Sequence, residues 1–215
     1  MRNIPVLKSK LTMPELTERF LLTERMQRLY NNMDTCRAVT VCAPAGYGKT
    51  TLAVSYLNCH AARPCRICWY RLDPKDTSLP VFLAHLKETI FPTEAAAFEG
   101  CRKILEEQAD NMQPQKTISM ICSELWKIHN KAGYTRIYLV LDGFQYVAQN
   151  QEICELTRYL LDYLPLYCTM ILMNRANLSV FTEKQKLEKR ILEINIEELA
   201  FSNTEIEAFM LSIGH

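Results

Sequence analysis

Between an apolar stretch and a helical one, the chain reads Ala43-Pro44-Ala45-Gly46-Tyr47-Gly48-Lys49-Thr50. This follows the pattern G-x-x-x-x-G-K-[ST], with Ala in the first small position. Small residues let the backbone curl until several N–H groups converge on one anion. A helix starting near Lys49 adds the positive end of its dipole to the same point. Lys49 supplies a cation for β- and γ-phosphates, the Thr50 hydroxyl a ligand for Mg²⁺, and Thr51 continues the same turn. The competing reading is a chance Gly-rich turn, but a buried-type strand before it and a helix after it are the context this motif requires.

A phosphate loop of this kind also needs an acid at the end of a neighbouring strand to hold the metal. The stretch "IYLVLDGF" places Asp142 directly after an apolar run. The plainer reading is an Asp capping the next turn with help from Gly143. Where many such enzymes carry a second acid to polarise water, this chain has Gly143, so fast hydrolysis is not expected. Farther on, "LMNRANLS" brings Asn174 and Arg175 to the carboxyl edge of the sheet, where ligands bind in open α/β folds. There Arg175 would meet a γ-phosphate by charge and Asn174 by a hydrogen bond; the alternative is a surface-loop Arg.

Other chemistry-bearing residues support less. Cys65 and Cys68 form a single CxxC, with Cys59 and His60 upstream, whereas a structural zinc site usually takes two such pairs or a Cys₂His₂ spacing. Packing explains these thiols more simply. The histidines (60, 85, 129 and 215) have no i,i+4 partners and no triad arrangement. Trp69 and Tyr70 read as core, and "ELWKIH" (124–129) as an amphipathic helix facing the sheet. Asp73 and Asp76 could touch the water shell of the magnesium or cap the following helix; capping is the favoured reading, with Thr77 or Ser78 sharing the role.

The elements that must position these residues alternate between β-type runs and helical patterns, the mark of a parallel α/β fold. The expected strands are 38–43, 67–72, 136–142, 168–174 and 191–195. The middle ones are apolar at successive positions, as strands covered on both faces are. Helices are expected near 49–60, 78–91, 101–110, 117–131 and 150–164, with a short amphipathic helix in "TERMQRLYNNM". A final helix, "SNTEIEAFMLSI", opens on Ser202 or Asn203 as N-cap with Glu205 or Glu207 nearby.

The 215 residues carry 25 basic and 24 acidic side chains, and a net charge of +1 gives no reason to expect nucleic acid or membrane as a direct partner. The run "EKQKLEKR" (183–190) interleaves both signs and reads as a solvated helix face. No signal peptide or spanning segment is visible, and nine scattered cysteines fit reduced thiols in a cytoplasm. The pattern stops soon after the last helix, as expected of a piece of a longer protein.

The stretches "KLTMPEL", "RAVTVCAPAGYGKTTL", "WYRLDPKDTSLPVFLAHL", "YLVLDGFQYV", "ILMNRANL" and "LEINIEELAFSNTEIEAFM" resemble, in order, the N-terminal ATPase module of MalT-like, LuxR-type transcriptional regulators of the STAND class. The resemblance runs from about Leu7 to the end. It implies a three-layer α/β P-loop NTPase with a five-stranded parallel sheet in the order 5-1-4-3-2. It also implies ATP/ADP with Mg²⁺ as ligands, and a switch in which ADP holds the protein closed while an inducer and ATP open it for self-association. DNA would be bound only by a C-terminal domain outside this sequence. Residues before the loop contact adenine in related modules, and Leu22 and Arg25 fall at the similar positions. The implied division is 1–35 as a lead-in contributing to the nucleotide site, 36–200 as the NTPase domain and 201–215 as the start of a helical or winged-helix segment. Two rival readings are a small-molecule kinase with a lid in 93–116, and an interaction scaffold that binds no nucleotide.

Overall fold

In the computed structural model, the residues described are 4–16, 22–60, 64–92, 114–176, 180–188 and 191–213. The expected helix at 101–110, and most of the 93–116 stretch considered as a lid, lie outside the described residues.

The strands are β1 (Ala38–Cys42), β2 (Cys65–Arg71), β3 (Arg136–Asp142), β4 (Cys168–Asn174) and β5 (Ile191–Ile194). They form one parallel sheet in the order β2-β3-β4-β1-β5, which is the expected 5-1-4-3-2 read from the other edge. The β3 and β4 boundaries fall where the apolar runs place them. β2 starts two positions earlier than expected, because Cys65 and Arg66 already pair with Arg136 and Ile137. β1 stops at Cys42: the Ala43 N–H still donates to the Asn174 carbonyl at 3.2 Å, and the chain then turns into the loop.

Helices cover both faces. α1 (Glu24–Asp34) and α2 (Lys49–His60) lie on one side. α3 (Leu79–Ile90), α4 (Pro114–Ala132) and α5 (Gln151–Tyr163) lie on the other. Strand alternation splits the apolar residues accordingly. Leu139, Leu141, Met170 and Leu172 join Phe82 and Leu86 on the α3–α5 side, whereas Tyr138, Val140, Ile171 and Met173 join Leu52 and Leu57 on the α2 side. Trp69 and Tyr70 are both buried, on opposite faces, which confirms them as core. The chain continues through α6 (Glu183–Glu188), the short α7 (Ile196–Leu199) and α8 (Asn203–Ile213). α6 is a solvated face laced by ion pairs, Lys186 with Glu183 at 2.9 Å and with Glu193 at 3.0 Å.

Helix starts follow from local chemistry. The Thr23 hydroxyl accepts from the Met26 N–H at the head of α1, and Asn150 Oδ1 accepts from the Ile153 N–H at the head of α5. At α8 the choice falls on Ser202 and Glu205: Ser202 Oγ accepts from the Glu205 N–H at 3.2 Å, and Glu205 accepts from the Ser202 N–H at 2.8 Å.

Asp73 and Asp76 do cap, but the element they cap is a 3₁₀ turn ahead of α3. Asp73 caps a 3₁₀ turn, Pro74–Asp76, and Asp76 returns a bond to the Asp73 N–H. Ser78 stands at the head of α3 without a capping bond. Asp76 is fully buried and receives both of its charge-assisted bonds from Lys10, at 2.8 and 2.9 Å. Thus the lead-in is tied to the carboxyl end of β2 by an ion pair across a long sequence separation, which no local pattern announces. His85, beside it, is satisfied: the Leu7 N–H donates to Nε2, so Nδ1 carries the proton and donates to the Val81 carbonyl at 2.9 Å.

Candidate functional site

The loop between β1 and α2 curls because its two glycines adopt left-handed backbones, Gly46 at φ 85° and Gly48 at φ 76°. Nothing lies within 4 Å of where a Cβ would stand at either position, so conformation rather than crowding selects glycine. Ala43 is buried, while Pro44, Ala45, Gly46, Tyr47 and Gly48 are exposed along the rim. Lys49 and Thr50 open α2, and Thr51 lies in its first turn. Free N–H groups at a helix start and in a turned loop are the groups from which anion-binding concavities are built.

Lys49 folds back across the loop, donating to the carbonyls of Ala43 at 2.6 Å and Pro44 at 2.7 Å. Burial pushes its pKa down and the Asp142 charge opposes that; Arg175 lowers it further. The Thr50 hydroxyl meets Asp142 Oδ2 at 3.4 Å. Burial pushes the Asp142 carboxyl up, against the opposing pull of the Thr50 bond and of Lys49, Arg71 and Arg175. A hydroxyl and a carboxylate oxygen so placed are hard donors that suit Mg²⁺, which keeps several of its own waters.

Gly143 follows Asp142 with φ 89°, and a Cβ there would stand 3.0 Å from the Leu72 carbonyl oxygen and 3.3 Å from the Tyr146 ring. On β4, Asn174 is buried and its Oδ1 has no hydrogen-bond partner among the described residues. Arg175, next along, is exposed and lies over the Tyr146 ring at 5.7 Å. The loop, Lys49, Thr50, Asp142, Asn174 and Arg175 therefore share one edge of the sheet.

The two lead-in residues precede the loop in sequence. Leu22 is exposed, and Arg25 points at the far end of the chain, donating through Nε to Glu205 at 3.1 Å and through a second nitrogen to the Glu198 carbonyl. Cys65 and Cys68 lie with opposite cores, so the CxxC does not converge on one point. Arg71 belongs to none of the sequence motifs. It ends β2 in register with Asp142, and a lone charged residue at a strand end belongs to no spacing rule.

Among the described residues, no helix is long and apolar enough to cross a membrane. Residues 16–175 match the family model described as Nephrocystin 3, N-terminal. Over 205 residues the chain is 27% identical to the HTH-type transcriptional regulator MalT of Yersinia pestis (strain Pestoides F), covering 95% of this chain and 21% of that protein. Its namesake in Vibrio parahaemolyticus serotype O3:K6 is 26% identical over 201 residues, again 21% of its own length. The chain thus spans about a fifth of the length of the curated relatives it matches. In fold it is similar to a signal transduction ATPase with numerous domains (STAND) bearing a tetratricopeptide repeat sensor, from Pyrococcus horikoshii. That likeness has a TM-score of 0.61 at 14% identity and covers 94% of this chain and 26% of the other. The chain belongs to the Nephrocystin 3, N-terminal family, and over nearly its whole length it resembles the N-terminal P-loop module of MalT-like regulators.

Proposed function

We propose that this chain is the ATP/ADP-binding signalling module of a MalT-like transcriptional regulator, a nucleotide-dependent switch with slow or no hydrolysis. The observation that supports it most is the pairing of an intact phosphate loop with Gly143. The loop glycines, Lys49, and the Thr50–Asp142 contact supply groups suited to phosphates and Mg²⁺, while a side chain at the position that usually carries a second acid would be strained and would press on the Leu72 carbonyl.

In this reading the loop of residues 43–51 holds the phosphates through the N–H groups that follow Pro44, and Lys49 leaves the Ala43 and Pro44 carbonyls to reach them. Thr50 and Asp142 hold the metal, which neutralises phosphate charge when bound. The unpartnered Asn174 Oδ1 would accept from the water beside the terminal phosphate, and Arg175 would offer that phosphate its charge. The base lies toward the lead-in at Leu22 and Arg25, the latter already engaged with Glu205. A ligand shifts such a module only by binding its two states unequally, so the work of signalling comes from affinity difference rather than turnover. Self-association, and DNA binding by a separate C-terminal domain, belong to the larger protein of which this would be one part.

Titrating Mg-ATP and Mg-ADP against the chain and its Lys49→Ala variant tests the proposal. The parent is expected to gain about 2.7 kcal/mol of stability at a hundredfold excess of ligand over its Kd, and Lys49→Ala to lose most of that gain. Equal affinity of both proteins would reject the reading, and acceptor-dependent ATP consumption would favour a kinase.

A further inference from the structure

Arg71 closes β2 at the carboxyl edge of the sheet, and strand alternation fixes where it points. Cys68, Tyr70 and Leu72 belong to the core under α3–α5, whereas Ile67 and Trp69 pack with the core under α1 and α2. Position 71 therefore shares the face of Trp69. On β3, Leu139 and Leu141 lie in the first core and Tyr138 and Val140 in the second, so Asp142 shares that face as well. The two residues are partners in register on adjacent strands, which lie about 4.8 Å apart. The Arg71 guanidinium and the Asp142 carboxylate thus flank each other on the face where α2 begins, with Thr50 meeting Asp142 at 3.4 Å.

The charge balance there is unusual. One carboxylate, Asp142, feels three cations, Lys49, Arg71 and Arg175. Elsewhere, Arg25, Arg37, Arg66 and Arg136 each donate to a backbone carbonyl. Arg71 is exposed and makes no hydrogen bond or ion pair among the described residues. A surplus of positive charge with an uncommitted guanidinium suits a polyanion. Distance decides which part of it. β2 is separated from β1 and its loop by β3 and β4, so only the outermost phosphate of a nucleotide seated in that loop comes within reach of position 71.

We propose that Arg71 distinguishes a nucleoside triphosphate from a diphosphate, its guanidinium closing on the terminal phosphate from the β2 side. This rests on the nucleotide-binding reading above. The planar fork of Arg can grip two phosphate oxygens where Lys offers a single point charge.

The experiment is calorimetric titration of the full chain with the Mg complexes of ADP and of the β,γ-imido analogue of ATP, comparing the parent with Arg71→Gln, Arg71→Lys and Lys49→Ala. Arg71→Gln is expected to weaken the triphosphate analogue about tenfold or more while ADP stays within about twofold, as loss of one charge-assisted bond implies. Arg71→Lys should recover part of the loss, and Lys49→Ala should weaken both ligands. Unchanged melting of the ligand-free variants checks that folding is intact. Equal loss for both nucleotides, or no loss for either, overturns the assignment to Arg71 while leaving nucleotide binding standing. A parent chain that binds neither ligand overturns both.

Discussion

In the proposed function, Gly143 sets the chemical limit of the site. Its left-handed backbone and the Leu72 carbonyl 3.0 Å from a hypothetical Cβ mean that an acid cannot simply be put back. Gly143→Glu should cost about 1–3 kcal/mol in urea denaturation, since a non-glycine residue held in that conformation is strained and must also displace its neighbour. It should bring no rise in ATP turnover; a stable variant with clearly faster phosphate release would overturn this account. The same residue shows what spacing can and cannot convey. That Lys49, Thr50 and Asp142 would meet at one edge of the sheet was legible because each lies at a fixed offset from an apolar run and its proposed role needs that offset. The absence of a second acid was legible too, but its steric cause was not, because the Leu72 carbonyl reaches Gly143 only once β2 and β3 pair. Arg71 was illegible for a related reason: its meaning comes from the register of an adjacent strand.

At the scale of elements, the strands and most helices could be read from apolar periodicity, whereas the fastening of the lead-in could not. Lys10 lies in a short 3₁₀ turn, Lys8–Lys10, and its ammonium contacts Asp76 at 2.8 Å and Asp73 at 2.9 Å. Burial pushes the Lys10 pKa down, but the bonds to Asp76 and Asp73 outweigh it and leave it raised. The lead-in then passes from one core to the other, with Leu11 on the α3–α5 side and Met13 and Leu16 on the α2 side. It thereby covers β2, an edge strand that would otherwise offer unpaired backbone groups. Lys10→Met strands a fully buried carboxylate and should cost about 3–5 kcal/mol. The double variant Lys10→Met/Asp76→Leu should recover much of that loss, because an apolar pair of similar volume avoids the desolvation of both charges. Asp73 is 38% exposed at its side chain, so Asp73→Asn should cost less than about 1 kcal/mol. Chemical denaturation of the four proteins checks the ranking; a mild effect of Lys10→Met would show that the strap is held by its apolar contacts instead.

At the scale of the molecule, the head and tail of the described fold are joined through Glu205. It accepts from the Arg25 Nε at 3.1 Å and from the Ser202 N–H at 2.8 Å, linking the start of α1 to the start of α8. Burial pushes its carboxyl up, but the Ser202 N–H, the Thr23 hydroxyl and the Arg25 guanidinium outweigh it and hold the pKa near about 2, below the ordinary 4.5. A depressed carboxylate stabilises the fold fully above its unfolded value, and that contribution fades as pH falls toward the folded one. Glu205→Gln keeps the shape but not the charge, so at neutral pH it should cost about 1–2 kcal/mol. The gap between the parent and this variant should stay constant above about pH 5, narrow below the ordinary carboxylate pKa, and be smallest near pH 2. Denaturation curves of both proteins across that range measure it, and amide exchange in α8 locates it. A gap independent of pH would mean that Glu205 acts by shape alone, as the partner in a helix cap. A gap that closes on acidification would mean that charge joins the lead-in to the last helix.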